Sequence, residues 1–227
     1  DPMSLEMTTD IIGYLSRAIE KEWGVSPLMM QGASGDMGNR QYRQSAGFEE
    51  IKRLGDAIIE QLKVSGDYKP VTFSDIKIDK YHYLDEFDKS DDAMEKLKRE
   101  IDEDEEKLKS EKNFDQRKLL ISGLTFLRQQ YKQRHVKNEF DASIIRLGDL
   151  EICQIPAELF SCFGLQIKAA SKARYCIIWG YTNGMVGYMV KAEEYETCYE
   201  GRSTTFRQGE PERVTENLVE LMKKHCE

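Results

Sequence analysis

Apolar residues at helical spacing open the chain. Ile11, Ile12, Leu15, Ala18 and Ile19 share one stripe, and predict a helix from Thr9 to Trp23 with Thr9 or Asp10 as its cap. Ser26 to Met30 is a short apolar run that enters Gln31-Gly32-Ala33-Ser34-Gly35-Asp36, and reads as a strand ending in a glycine-rich turn. A second stripe of Ile51, Leu54, Ile58, Ile59 and Leu62 predicts a helix over Phe48 to Leu62. Val71, Phe73, Ile76 and Ile78 alternate, so Tyr68 to Tyr83 is expected to form strands.

The pattern changes at Asp85. From there to Lys112 charge of both signs dominates, with only Met94, Leu97, Ile101 and Leu108 as apolar anchors. This predicts a solvated helix, followed by another over Leu119 to Tyr131, so that about 85–135 forms a charged helical excursion. Its acidic run, Asp102 to Glu106, lacks the loop glycine and ligand spacing of an EF-hand. A hairpin follows: Ser143 to Leu147, a turn at Gly148-Asp149, then Leu150 to Ile155, ended by Pro156. Leu159 to Ala170 reads as a helix and Arg174 to Gly180 as a buried strand. Tyr181 to Tyr188 reads as a glycine-punctuated loop, and Glu212 to Lys224 as a terminal amphipathic helix. The order predicts an α/β fold: a layered mixed sheet with helices on both faces, plus the helical excursion.

Composition narrows the function classes. The 227 residues suffice for one large domain or a domain and a half, at roughly 100–200 residues per domain. Hydrophobic residues make up 40% and charged residues 33%, which excludes a membrane span and a fully disordered chain. A net charge of −8 without a concentrated basic face argues against nucleic-acid binding. Residues 1–6 have no apolar signal segment and read as a cloning remnant. The five cysteines, Cys153, Cys162, Cys176, Cys198 and Cys226, are odd in number with no CxxC pair. Reduced thiols and a cytoplasmic setting are therefore expected.

Chemistry is concentrated at predicted strand ends, where sites sit in open α/β sheets. Gly32 to Arg40 is a turn that can approach a ligand closely. Ser34 lies in it, but Gly32-x-Ser34-x-Asp36 lacks the last glycine of a nucleophile elbow, and no His/Asp pair is evident to activate it. Glu158 directly follows a strand, where a carboxylate can ligate a metal, act as general base, or simply complement a helix dipole. Thr182 to Tyr188, followed by Tyr195 and Tyr199, is rich in tyrosine, which usually packs and hydrogen-bonds. His82, His135 and His225 are far apart in sequence and form no HxH or HxxxH pair, so each reads as a surface or partner-satisfied residue.

Taken in order, Gly32-Ala33-Ser34-Gly35-Asp36, Ile155-Pro156-Ala157-Glu158, Thr182-Asn183-Gly184-Met185-Val186-Gly187-Tyr188 and Tyr199-Glu200-Gly201 resemble the neutral/alkaline non-lysosomal ceramidase family. Thr9-Asp10-x-x-Gly13-Tyr14-Leu15 also resembles the segment that precedes the glycine motif there. The resemblance runs from about Thr9 to Thr204, with a gap across the excursion. It implies a zinc-dependent amidohydrolase that cleaves a small-molecule or lipid amide. It further implies Glu158 and Tyr188 as metal ligands and Tyr199 as a donor to the oxyanion. Gly35, Asp36, Gly38 and Asn183 are then substrate-loop residues.

Two departures shape the expectation. The family's two histidine ligands sit in motifs that 7–227 does not contain, and two oxygen ligands alone bind zinc weakly. The chain is therefore expected to be the C-terminal portion of such a catalytic domain and inactive by itself, with the N-terminal portion of the same protein as its missing partner. Gly38 also stands where the family carries a serine. This points to a ceramidase-like relative that hydrolyses a linear amide with a metal-bound water. The competing expectation is a non-catalytic interaction module that uses the charged excursion to bind a partner. A third places catalysis within the chain, with His82 or His135 recruited to Glu158.

Overall fold

The computed structural model describes residues 7–64 and 69–225. The cloning-remnant reading of residues 1–6, the start of the Tyr68 strand and Cys226 lie outside them. In chain order the elements are α1 (Asp10–Trp23), α2 (Phe48–Val64), β1 (Ile76–Asp88), α3 (Asp91–Ser110), α4 (Phe114–Lys132), β2 (His135–Leu147) and β3 (Leu150–Gln154). They continue with β4 (Glu158–Leu159), α5 (Ser161–Ala170), β5 (Tyr175–Trp179), β6 (Tyr188–Met189), α6 (Tyr199–Ser203) and α7 (Glu210–His225). The fold is mixed α/β. A four-stranded sheet has the order β1-β2-β3-β5, and a two-stranded parallel sheet joins β4 to β6.

The chain divides into two compact units, residues 1–81 with 141–227, and residues 82–140. In the first unit, β2 pairs antiparallel with β3 through the turn at Gly148, whose φ of 59° suits a glycine. Strand β3 then pairs parallel with β5. Successive residues Glu151, Ile152 and Cys153 are all buried, so both faces of the sheet are covered here, since alternate side chains point to opposite faces. Helix α5 packs on β5, and α7 packs on α5. Phe163 and Ile167 of α5, with Val214, Leu218 and Met222 of α7, are buried. Each such side chain contributes about 1.5–3 kcal/mol by leaving water.

Buried Glu151 is held by the Ser171 hydroxyl and lies 3.6 Å from Arg146. Helices α1 and α2 form a pair, tied by the Tyr14 hydroxyl donating to Asp56 at 2.5 Å.

The second unit is the charged excursion. Ser90 caps α3 by accepting from the Ala93 amide at 3.2 Å. The acidic run lies within α3, paired as Lys107–Asp104, Lys109–Glu106 and Arg128–Glu105. The Lys89 ammonium closes α4 by donating to the carbonyls of Gln130 (2.6 Å) and Gln133 (2.9 Å). Tyr83 and Phe140 stack with centroids 4.9 Å apart.

Several expected boundaries move. Residues 26–30 form no strand. Leu28 points to solvent, and among the described residues the backbone bond that ties the end of this segment toward β5 is the Gly180 amide donating to Gln31 at 2.9 Å. One bond is not a ladder, and apolar composition cannot substitute for one. Among the described residues the strand expected over Tyr68 to Tyr83 begins only at Ile76, after Asp75 turns the backbone with φ of 46°. Upstream, Thr72 merely exchanges bonds with Asp149. The helix expected from Leu159 starts at Ser161, because the Glu158 and Phe160 amides donate to Gly187 (3.0 Å) and Met189 (3.1 Å) and commit this stretch to β4. Strand β5 is mostly half-buried, with Ile178 alone fully buried.

Acid sensitivity is expected in α2. Glu50 is little exposed, accepts from Arg53 and from the Gln44 amide, and its carboxyl is held down at about 2. Its contribution to stability is complete above the ordinary value of 4.5 and lost as the pH falls to about 2. Melting temperature followed against pH should fall less steeply across that window in Glu50→Gln than in the parent.

Candidate functional site

Segments distant in sequence meet at the β4–β6 ladder. Residue Glu158 is the register partner of Tyr188, and Leu159 of Met189. In parallel neighbours such partners present their side chains on the same face, so carboxylate and phenol stand side by side. Burial together with that carboxylate pushes the Tyr188 phenol above its ordinary range, so it is neutral near pH 7. The Tyr199 ring, at the first residue of α6, meets the Tyr188 ring edge-on with centroids 6.4 Å apart. It is 71% exposed, so its hydroxyl is open to an incoming molecule.

The glycine-rich turn lies against this ladder. The Gly35 amide donates to the Leu159 carbonyl at 2.7 Å. A β-carbon at Gly35 would come within 2.7 Å of the Glu158 carbonyl oxygen and 2.9 Å of Leu159, so only glycine fits. A β-carbon at Gly164 in α5 would likewise sit 2.6 Å from Ala33. Asp36 accepts from the Ser161 amide (2.6 Å) and hydroxyl (2.8 Å), fixing the first turn of α5. Gly38 is exposed with open space around it. Asn183 is exposed, with φ of 62°, in the turn that brings the Val186 amide to the Pro156 carbonyl at 2.7 Å.

The structure therefore brings Glu158, Tyr188, Tyr199, Gly35 and Asp36 together. Asp36 and Gly35 act on the scaffold: one caps a helix, the other permits close approach. The site also contains a residue that sequence reasoning passed over, Tyr181. Burial is the main reason its phenol is raised, with Ser34 and Glu158 as its polar neighbours. Ser34 thus has a tyrosine beside it where a nucleophile would need a base. The one signal available was position: Tyr181 directly follows the β5 strand end.

The histidines are placed differently. His82 lies 3.6 Å from Glu139, and His135 bonds Asp88 and Glu86, each at 2.9 Å, within the second unit. Among the described residues no group of three His, Cys, Asp or Glu side chains is placed to hold a metal. The four described cysteines are free thiols, and no described helix is long and apolar enough to cross a membrane. Burial pushes the Cys153 thiol up to about 12, which leaves it inert.

No family model and no curated protein matches the chain. Among solved structures, neutral ceramidase from Pseudomonas aeruginosa matches over 100% of this chain and 42% of its own, at 14% identity with a TM-score of 0.64. A ceramidase complexed with C2 matches 38% of this chain and 15% of its own, at 26% identity with a TM-score of 0.35. The first match shows that the chain has the fold found in part of neutral ceramidase, and that it spans less than half of that protein's length.

The two glycines separate packing from openness. Gly35→Ala should cost about 1–3 kcal/mol through the clash with β4, whereas Gly38→Ser should leave urea unfolding unchanged. Denaturation curves of the two variants measure the contrast.

Proposed function

We propose that this chain carries half of the zinc site of a ceramidase-like hydrolase that cleaves a linear amide bond. The observation that carries this reading is the Glu158–Tyr188 pair. Two oxygen-bearing side chains stand as register partners on neighbouring strands, in the setting of a fold match that covers this whole chain and part of a neutral ceramidase. Carboxylate and phenolate oxygens suit a zinc ion whose set is completed by imidazoles. Among the described residues no group of three His, Cys, Asp or Glu side chains is placed to hold a metal. In this reading the pair is two ligands of four, and the rest of the protein supplies the other two.

A zinc ion held there would polarise an amide carbonyl and lower the pKa of a water. The chain's own residues do the rest. Glu158 is held beside Tyr188 by the ladder, its amide donating to Gly187 at 3.0 Å. Tyr199, exposed beside Tyr188, donates to the oxygen that gains charge as the amide carbon becomes tetrahedral. Met185 and Tyr181, in the segment that leads into Tyr188, expose apolar surface, which suits a substrate with an acyl or other lipid portion. Gly38 leaves the substrate loop without the family's serine hydroxyl, so the attacking group is water.

In the complete protein, Tyr199→Phe should lower kcat on an N-acyl amide about 10²- to 10³-fold with little change in KM. Glu158→Gln should abolish turnover together with zinc retention. This chain alone should not hydrolyse the same substrates. Robust hydrolysis by this chain, unaffected by Glu158→Gln, would overturn the assignment.

A further inference from the structure

Tyr199 stands on α6, a helix of only five residues, Tyr199–Ser203. So short a helix does not persist by its own hydrogen bonds, so whatever holds α6 also sets where the Tyr199 ring lies. At its start, the Cys198 sulfur accepts from the Gly201 amide at 3.3 Å, and the thiol donates to the Glu194 carbonyl at 3.3 Å. Sulfur is a weak partner in both bonds. A β-carbon at Gly201 would collide with the Tyr195 carbonyl, so α6 lies flat on the turn before it. The Tyr195 hydroxyl donates to the Phe206 carbonyl at 2.7 Å and closes the segment around the helix.

The end of α6 is tied to β6. Thr204, the residue that ends the helix, is buried. Its hydroxyl donates to the Tyr188 carbonyl at 2.6 Å and accepts from the Phe206 amide at 3.1 Å. The Gly187 and Met189 carbonyls on either side are taken by β4. The Tyr188 carbonyl between them is taken by Thr204. Next to it, the exposed Thr205 hydroxyl donates to the Val186 carbonyl at 2.8 Å. Water can replace an exposed hydroxyl as donor, whereas loss of the Thr204 hydroxyl would leave a buried carbonyl and a buried amide unpaired.

We infer that Thr204 is a positioning residue: its hydroxyl, bonded to the backbone of Tyr188, holds α6 against β6 and sets the separation of Tyr199 from Tyr188. The value of that separation to catalysis rests on the proposed function, in which the two tyrosines are oxyanion donor and metal ligand. The separation itself does not.

Two readouts keep these apart. In this chain, nuclear Overhauser contacts between the Tyr188 and Tyr199 rings are compared in the parent, Thr204→Val, Thr204→Ser and Thr205→Val. Valine keeps the shape of threonine without its hydroxyl, and serine keeps the hydroxyl. The contacts should weaken in Thr204→Val and persist in the other two. Unchanged contacts in Thr204→Val overturn the inference, as does equal loss in Thr204→Val and Thr204→Ser, which would assign the effect to packing. If Thr204→Val does not fold, Thr204→Cys takes its place: its thiol is a weak donor, so the contacts should be weaker than in Thr204→Ser, and equal contacts in the two overturn the inference. In the complete protein, Thr204→Val should lower kcat on an N-acyl amide about 10- to 100-fold with little change in KM, and Thr204→Ser should restore most of it. If Tyr199→Phe leaves kcat unchanged there, the proposed role of Tyr199 falls, and the ring contacts in this chain still decide the role of Thr204.

Discussion

The hydrogen bonds between β4 and β6 are what the candidate site depends on. The Glu158 amide donates to Gly187 and the Phe160 amide to Met189, and two residues on each side complete the ladder. So short a ladder has little stability of its own. It is held by its surroundings: Gly35 lies flat against it, Leu159 and Met189 are fully buried, and Asp36 fixes the first turn of α5 immediately downstream. Fixing this register places Glu158 beside Tyr188, and a slip by one residue would turn each side chain to the opposite face.

The electrostatics follow from that placement. Burial with the neighbouring Glu158 carboxylate raises the Tyr188 phenol, and burial raises that of Tyr181, so both are protonated near neutral pH. A cation bound to the Tyr188 oxygen would displace its proton. Neither histidine whose side chain is described takes part: each engages carboxylates of the excursion.

Long periodic stretches were legible in the sequence. The stripes of α1, α2 and α7 were expected with boundaries within a few residues of those observed, and the hairpin turn at Gly148 falls where expected, although β2 begins at His135, eight residues before the expected Ser143. The charged helix α3 was legible from its mixed charge, which resolves into pairs three residues apart. Two kinds of feature were not. Ser26 to Met30 has strand composition but no ladder partner, and pairing is a tertiary property that composition does not carry. The strands β4 and β6 are too short to show any period, so their pairing rests on Gly35 and on turns set by Asn183, Gly184 and Gly187. Glu158, Tyr188 and Tyr199 could be singled out by resemblance to a family pattern. Tyr181 could not, because it sits at a left-handed turn after β5 that no spacing announces.

The central claim is that Glu158 and Tyr188 are two ligands of a zinc site completed by polypeptide beyond this chain. Elemental analysis tests it most directly, applied side by side to this chain and to the product of the complete reading frame that encodes it. The account expects about one zinc per molecule in the complete product, lost on Glu158→Gln, and none retained by this chain. Zinc absent from both, or retained by the complete product after Glu158→Gln, would contradict it.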